Sequence, residues 1–260
     1  MTHAEILKKV QWKDLRKLST GEIFIENNLT LPWLLLSWAA AYFGYYIISL
    51  PLSAIFFLTA LRQVHNGFHN SLGTGKFLTW FSLYSNSILM MVSVHAVKFN
   101  HLRHHKYCLS EKDYEGKSAR MKWYEAILYG PVHIFLIHKI ALQEGNFRYR
   151  RQVIFELLSV ALFIFIVFTF KIHFLIYHIL AMVTGEFLTA FFAVWTVHHD
   201  AGNSLHFSRT QRTVWKNKIT FNMFYHLEHH LFPAVPTIKL PELAKRIDDT
   251  LPELYKKPTF

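Results

Sequence analysis

Residues 29–61 carry no charged side chain, and that single run governs what this chain can fold into. One helical crossing of a bilayer takes about 20 apolar residues. The run is too long for one crossing and slightly short for two. A hairpin fits if its second helix continues past Arg62 to His65 and His69, with the turn near Ser49-Leu50-Pro51, where proline suits a helix start. The polar end of that second helix must then face protein or metal rather than lipid.

Two further stretches, 152–170 and 173–197, each suffice for a crossing and are joined by Lys171-Ile172. The expected spans are therefore 30–48, 51–69, 152–170 and 173–197. Four crossings return the chain to its starting side. Lys171 is then the only Lys or Arg on the far side, which obeys the positive-inside rule and puts both termini in the cytosol. Residues 77–97 are also apolar, but a crossing there would separate His65 and His69 from His101, His104 and His105 across the bilayer. An interfacial or half-inserted helix is expected instead, and likewise for Trp123–Leu142, which Gly130-Pro131 interrupts. The fold class that follows is all-α: a four-span integral membrane helical bundle with interfacial helices and a cytosolic, histidine-rich cap at 98–149 and 198–260, forming a single domain over 1–260.

Composition narrows the chemistry. The chain is 52% hydrophobic and 17% aromatic, with the apolar residues in long blocks. Its one cysteine, Cys108, excludes an intrachain disulfide, a cysteine-based zinc site and an iron–sulfur cluster. The 28 Lys+Arg against 17 Asp+Glu suit a cytoplasmic face and anionic lipid headgroups; no patch suggests nucleic-acid binding. Residues 1–28 are mixed and charged and do not read as a signal peptide. They are expected to form a cytosolic segment, with an amphipathic helix lying on the membrane. Beyond a recurring histidine word, no internal repeat is present, nor a glycine-rich nucleotide loop or Ser/His/Asp hydrolase pattern.

Histidine carries what remains. The word His226-Leu227-Glu228-His229-His230 is matched by His101-Leu102-Arg103-His104-His105, and His65-Asn66-Gly67-Phe68-His69 adds a pair at i and i+4. Helix positions i, i+3 and i+4 share a face, so three imidazoles of one word could bind a metal together. Every cluster falls just past an apolar stretch, on one side. A site of many imidazoles and no thiolate suits zinc, copper, nickel or iron. Eight or nine histidines exceed the four ligands of one zinc and call for two metals. Beside apolar helices, such a site suggests work on a greasy substrate, and iron is favoured for oxygen activation because zinc has no redox chemistry.

These boxes, with Glu228-His229-His230-Leu231-Phe232-Pro233, Pro236 and Leu240-Pro241, resemble the membrane fatty acid desaturase superfamily, the acyl-lipid branch in particular. The resemblance covers roughly residues 30–250. It implies a di-iron, oxygen-dependent oxidoreductase that introduces a double bond into a fatty acyl chain of a lipid or acyl thioester. The alternative within the superfamily is a hydroxylase or ketolase acting on alkyl chains or carotenoids. The implied metal ligands are His65, His69, His101, His104, His105, His198, His226, His229 and His230, with no catalytic residue separate from them; His199 is the alternative to His198. The implied cofactors are two iron ions, with O2 as co-substrate. No haem domain, flavin motif or cluster cysteines are seen, so a separate ferredoxin or cytochrome is implied as electron donor. Arg103, Lys106, Lys216 and Lys218 could steer it.

One position departs from the pattern. The first box of the family usually reads His-Asp, and here it is His65-Asn66. A ligating histidine passes its other N–H to a carboxylate or carbonyl, and Asn66 offers an amide oxygen without charge. Asp113, Asp200 and Glu228 are candidate carboxylate partners. Glu186, inside the fourth span, is expected to pair with a box histidine or to line the substrate passage. Cys108 reads as a plain small residue, and His3, His95, His133, His138, His173, His178 and His206 as structural. A histidine-rich transporter or sensor would carry ligands at mid-membrane, where the spans offer only Glu156, Glu186 and His178.

Overall fold

A computed structural model describes residues 2–202, 208–254 and 256–259. Among them the chain is helical, with no strand beyond an isolated bridge between Thr210 and Pro258. The helices are α1 (His3–Lys9), α2 (Thr20–Asn28), α3 (Leu31–Tyr42), α4 (Tyr46–Phe68), α5 (Lys76–Met90), α6 (Val94–Tyr107), α7 (Trp123–Leu128), α8 (Gly130–Glu144), α9 (Phe147–Thr169), α10 (His173–Thr189), α11 (Thr196–His198), α12 (Val214–Ile219), α13 (His226–Leu231) and α14 (Leu240–Thr250). A π-helical stretch, Ala190–Trp195, joins α10 to α11.

Among the described residues, three helices are long and apolar enough to cross a membrane: Tyr46–Phe68, Phe147–Thr169 and His173–His198. At 1.5 Å per residue, a 23-residue helix such as α4 is about 35 Å long, against a hydrocarbon core of about 30 Å. The first hairpin differs from expectation. Its turn lies at Phe43–Tyr45, where Gly44 takes φ +78°, a backbone region that favours glycine. Pro51 lies inside α4 and starts nothing. As a result α3 has only 12 residues. A ladder of small hydroxyls joins the pair: Ser37 Oγ lies 3.1 Å from Ser49 Oγ and 2.7 Å from Ser53 Oγ, and Ser49 donates to the Ser37 carbonyl at 2.8 Å. Such small polar residues let helices approach closely in an apolar medium.

Helices α5 and α6 meet at 110°. Met91, at φ 61°, ends α5, and Ser93 caps α6 by accepting from the Ala96 N–H at 3.2 Å. The stretch is thus a bent pair rather than a straight rod, a shape that a broken span and a half-inserted helix share. The core between α3, α4, α5, α6 and α10 is apolar, built on Leu34, Phe56, Leu83, Met90 and Met182. Gly130 opens α8 against α10; a Cβ there would lie 1.6 Å from the Phe187 carbonyl oxygen.

A second core joins the amino-terminal and carboxy-terminal segments. Ile6, Val10 and Leu15 pack with Leu227, Leu231, Phe232, Leu243 and Ile247. Within the amino-terminal segment, α1 packs on protein, whereas α2 leaves Phe24 and Ile25 exposed. The apolar face of α1 is spent on α13 and α14, with Ile6 fully buried, so that face is closed to lipid.

Candidate metal centre

The third box lies on α13, a helix of only six residues, held from outside the site. Glu228 is completely buried and accepts from Thr210 Oγ1 and Arg212 Nη2, both at 2.6 Å. It sits between His226 and His230 in sequence, so the helical turn directs it away from them. The first box ends α4 and is held by α2. Glu26 pairs with Arg62 and accepts from Asn66 Nδ2 at 2.8 Å. The Asn66 amide oxygen accepts from the Thr237 hydroxyl at 2.7 Å and the Thr237 N–H at 3.1 Å. Asn66 therefore bonds to Glu26 and Thr237, not to the histidine expected; with a carboxylate already at Glu26, a neutral amide is the residue that fits.

The nine rings meet in two nests. His65, His69, His101, His105 and His229 form one; His104, His198, His226 and His230 form the other. In the first, Nε2 atoms lie 2.9 Å apart between His65 and His229, 3.1 Å between His101 and His69, 3.1 Å between His105 and His101, and 2.8 Å between His229 and His105. In the second, His198 Nε2 lies 3.0 Å from His104 and 2.8 Å from His226, and His230 lies 3.1 Å from His226. The histidines of one word do not bind together, contrary to the expectation from a shared face. The i and i+4 members go to one nest, and the i+3 member crosses to the other.

This donor set fits metal ions. Ring nitrogens at about 2.1 Å from an ion lie about 3.0 Å apart across a right angle and about 3.4 Å apart across a tetrahedral one. The observed 2.8–3.1 Å matches the right angle, and five donors in one nest exceed a tetrahedral set. Burial, then the neighbouring histidines, keeps His226, His229 and His230 well below the usual imidazole range, hence neutral, as ligands must be.

Two carboxylates orient the second box. His104 Nδ1 lies 2.8 Å from Asp113 Oδ2, and His101 Nδ1 lies 3.0 Å from Glu115 Oε1. With the proton on Nδ1, each Nε2 lone pair faces its nest. Burial raises the Asp113 carboxyl, but His104 and the N–H groups of Gly116 and Leu109 outweigh it and hold it at about 2. Asp200, another expected partner, is exposed and pairs with Lys257 at 2.6 Å. Glu115 was missed from sequence; its signal was the Asp-x-Glu pair just past the second box.

His199 stacks on Trp195 with ring centres 3.6 Å apart and lies against Arg209, outside both nests. Among the described residues, His3, His95, His133, His138, His173 and His178 join neither nest. His95 Nδ1 pairs with Glu156 Oε1 at 2.5 Å, His138 Nε2 accepts the Ser93 N–H, and His178 donates to the Leu89 carbonyl. His206 lies outside the described residues. Cys108 lies near His104 and Asp113, yet burial raises its thiol pKa, so the thiolate a metal needs is disfavoured. Glu186 bonds to no box histidine and lines a cavity of about 60 Å³ beside the first nest.

The sequence profile of the family described as fatty acid desaturase matches residues 36–259. A sphingolipid delta(4)-desaturase, DES1, of Drosophila melanogaster is 58% identical over 40 residues, which is 14% of this chain and 12% of that protein. The matched stretch is thus a small part of the relative's length. No solved structure matches.

Proposed function

The chain belongs to the fatty acid desaturase family, and from that premise we propose that it is a di-iron membrane oxidoreductase that uses O2 to introduce a double bond into a lipid acyl chain. The observation that carries this reading is the convergence of nine imidazoles into two adjacent nests. His65, His69, His101, His105 and His229 would hold one iron, and His104, His198, His226 and His230 the other. When bound, the iron pair supplies the oxidising power to remove hydrogen from unactivated methylenes.

The chain's own residues do the rest. Glu115 and Asp113 fix the tautomers of His101 and His104. Phe68 sets its ring 5.6 Å from His101 and, with Val64 and Val97, gives the adjacent cavity an apolar wall. In balance, one O2, two electrons, two protons and two hydrogens from the chain give a C=C bond and two waters. The electrons would come from a separate ferredoxin or cytochrome. Of the basic residues considered for its docking, Arg103 is paired with Glu144 at 2.6 Å, while Lys106 lies over Tyr107 and Lys216 over Trp215.

The topology that suits this reading has four crossings within one domain over 1–260. Thr30, just before α3, bonds Gln63 near the metal end of α4. Helix α3 would therefore leave the metal side and α4 return to it, the 12 residues of α3 covering about 18 Å, so that the bilayer would thin around it, with α9 and α10–α11 as the second pair. Lys171, at the turn between them, would be the lone far-side cation, and both termini and the metal centre would be cytosolic.

Expression in a host lacking unsaturated lipids, with mass spectrometry of the lipids and metal analysis of the protein, tests the reading. Loss of two hydrogens with about two irons per chain supports it. Gain of an oxygen atom would assign the chain to hydroxylation or keto-group formation instead.

A further inference from the structure

Behind the first nest lies a cavity of about 60 Å³ whose walls are mostly apolar, with Phe68, Met90, Val97, Ile137 and Val194 among them. Three ionisable side chains, Glu115, His133 and Glu186, also line it. Each presents a buried atom with no hydrogen-bond partner: Glu115 Oε2, His133 Nδ1 and Glu186 Oε1. Glu186 and His133 are each 4% exposed. Buried polar atoms are nearly always partnered, because leaving one unpartnered in apolar surroundings is costly. Three in one small cavity mark a place built to receive a polar group.

The chemistry of that group follows from the atoms. A carboxyl oxygen accepts a hydrogen bond or, when protonated, gives one. An imidazole nitrogen does either, according to tautomer. The complement is a small group that both donates and accepts, carried by a chain apolar enough to lie along the remaining wall. The cavity also adjoins the reacting centre, since the other oxygen of Glu115 holds His101 Nδ1 at 3.0 Å.

We infer that Glu186 and His133 form a specificity site for a hydroxyl group on the substrate chain, close to the carbons that react. This rests on the desaturase reading and adds a substrate class: hydroxylated alkyl or acyl chains over plain ones. A site that bonds a substrate hydroxyl discriminates strongly against the chain lacking it, because its own buried groups are then left unpaired.

The test uses the iron-loaded protein in vesicles and a set of chain-matched acyl lipids, one unsubstituted and the others with a single hydroxyl at successive carbons. Binding is measured without oxygen, and turnover with oxygen and reductant. For one hydroxyl position, binding and kcat/KM should exceed those of the unsubstituted chain by about tenfold or more, mainly through KM. Glu186→Leu should remove most of that preference and Glu186→Gln part of it, with His133→Phe as an independent variant and iron content as the check on folding. Equal binding of hydroxylated and plain chains would overturn the inference and leave the desaturase reading standing. A preference that survives both Glu186→Leu and His133→Phe would also overturn it and leave the cavity to water. A binding preference with no loss of hydrogen from any chain would keep the site and remove the desaturase reading.

Discussion

The two nests share α6 and α13 and differ in nearly everything else. The first has five rings, of which His65, His69 and His105 are half-buried; the second has four, all buried. Both take donors from α6 and α13, with opposite weighting. Helix α6 gives His101 and His105 to the first nest and His104 to the second, whereas α13 gives His229 to the first and His226 and His230 to the second. A residue four along a helix returns to within about 40° of the start, while one three along falls short by about 60° on the other side. Helices α6 and α13, carrying the same word, thus each contribute rings to both nests. The lesson is that the nests are unequal in spare donors, and that inequality can be measured.

The largest effect should come from removing one donor from each. His226→Ala leaves its nest three rings, and His69→Ala leaves the other four. Metal analysis should give about one iron per chain for the first variant and nearer two for the second, with activity in His226→Ala lower by at least about a hundredfold. Equal losses would break the comparison.

Next come the carboxylates. Asp113 accepts from the N–H groups of Leu109 and Gly116 as well as facing His104, whereas Glu115 faces His101 alone among the bonds described. Asp113→Asn and Glu115→Gln should each lower metal affinity by about 10–100-fold, Asp113→Asn the more. Chelator competition on the two variants checks the order.

Asn66→Asp would restore the more usual first-box residue, yet it sets a second carboxylate against Glu26. It should destabilise the support of the first nest by about 1–3 kcal/mol. Chemical denaturation reads this, and a more stable variant would refute the role given to Glu26.

The smallest effect lies at the clasp between α2 and the segment before α14. The Lys239 ammonium, then the Ser19 N–H, holds the Glu22 carboxyl at about 2. A depressed carboxyl pKa stabilises the fold above its ordinary range and loses that contribution as pH falls towards 2. Wild type should therefore melt about 1–2 °C above Glu22→Gln near neutral pH, and the two curves should converge as the pH is lowered from 4.5 towards 2. A constant gap would show that the pair contributes nothing through charge.

Much of the site was legible along the chain because ligand chemistry is written in residue types. The three boxes name eight rings outright, and no other residue type could replace so many imidazoles in a thiol-poor chain. Glu115 was harder to find because a carboxylate carries no mark of the ring it will meet 14 positions away. Asp200 misled for the same reason: adjacency to His199 says nothing about Lys257. The hairpin turn was misplaced because proline was read as a start signal, while Gly44, with its positive φ, was the stronger break. Which helix of residues 1–28 would meet lipid is not legible in sequence, because an amphipathic stripe meets lipid and a protein core on equal terms.

Sequence by itself determined the kinds of atom available: apolar runs that demand an apolar surround, and histidines spaced for helices. Only the tertiary structure decided how those rings were divided between two centres, which carboxylates oriented them, and where polar atoms were left facing an apolar cavity. Spacing along a helix fixes angles within one element. The meeting point of two elements depends on how they cross, and the crossing is set by packing contacts between residues far apart in the chain.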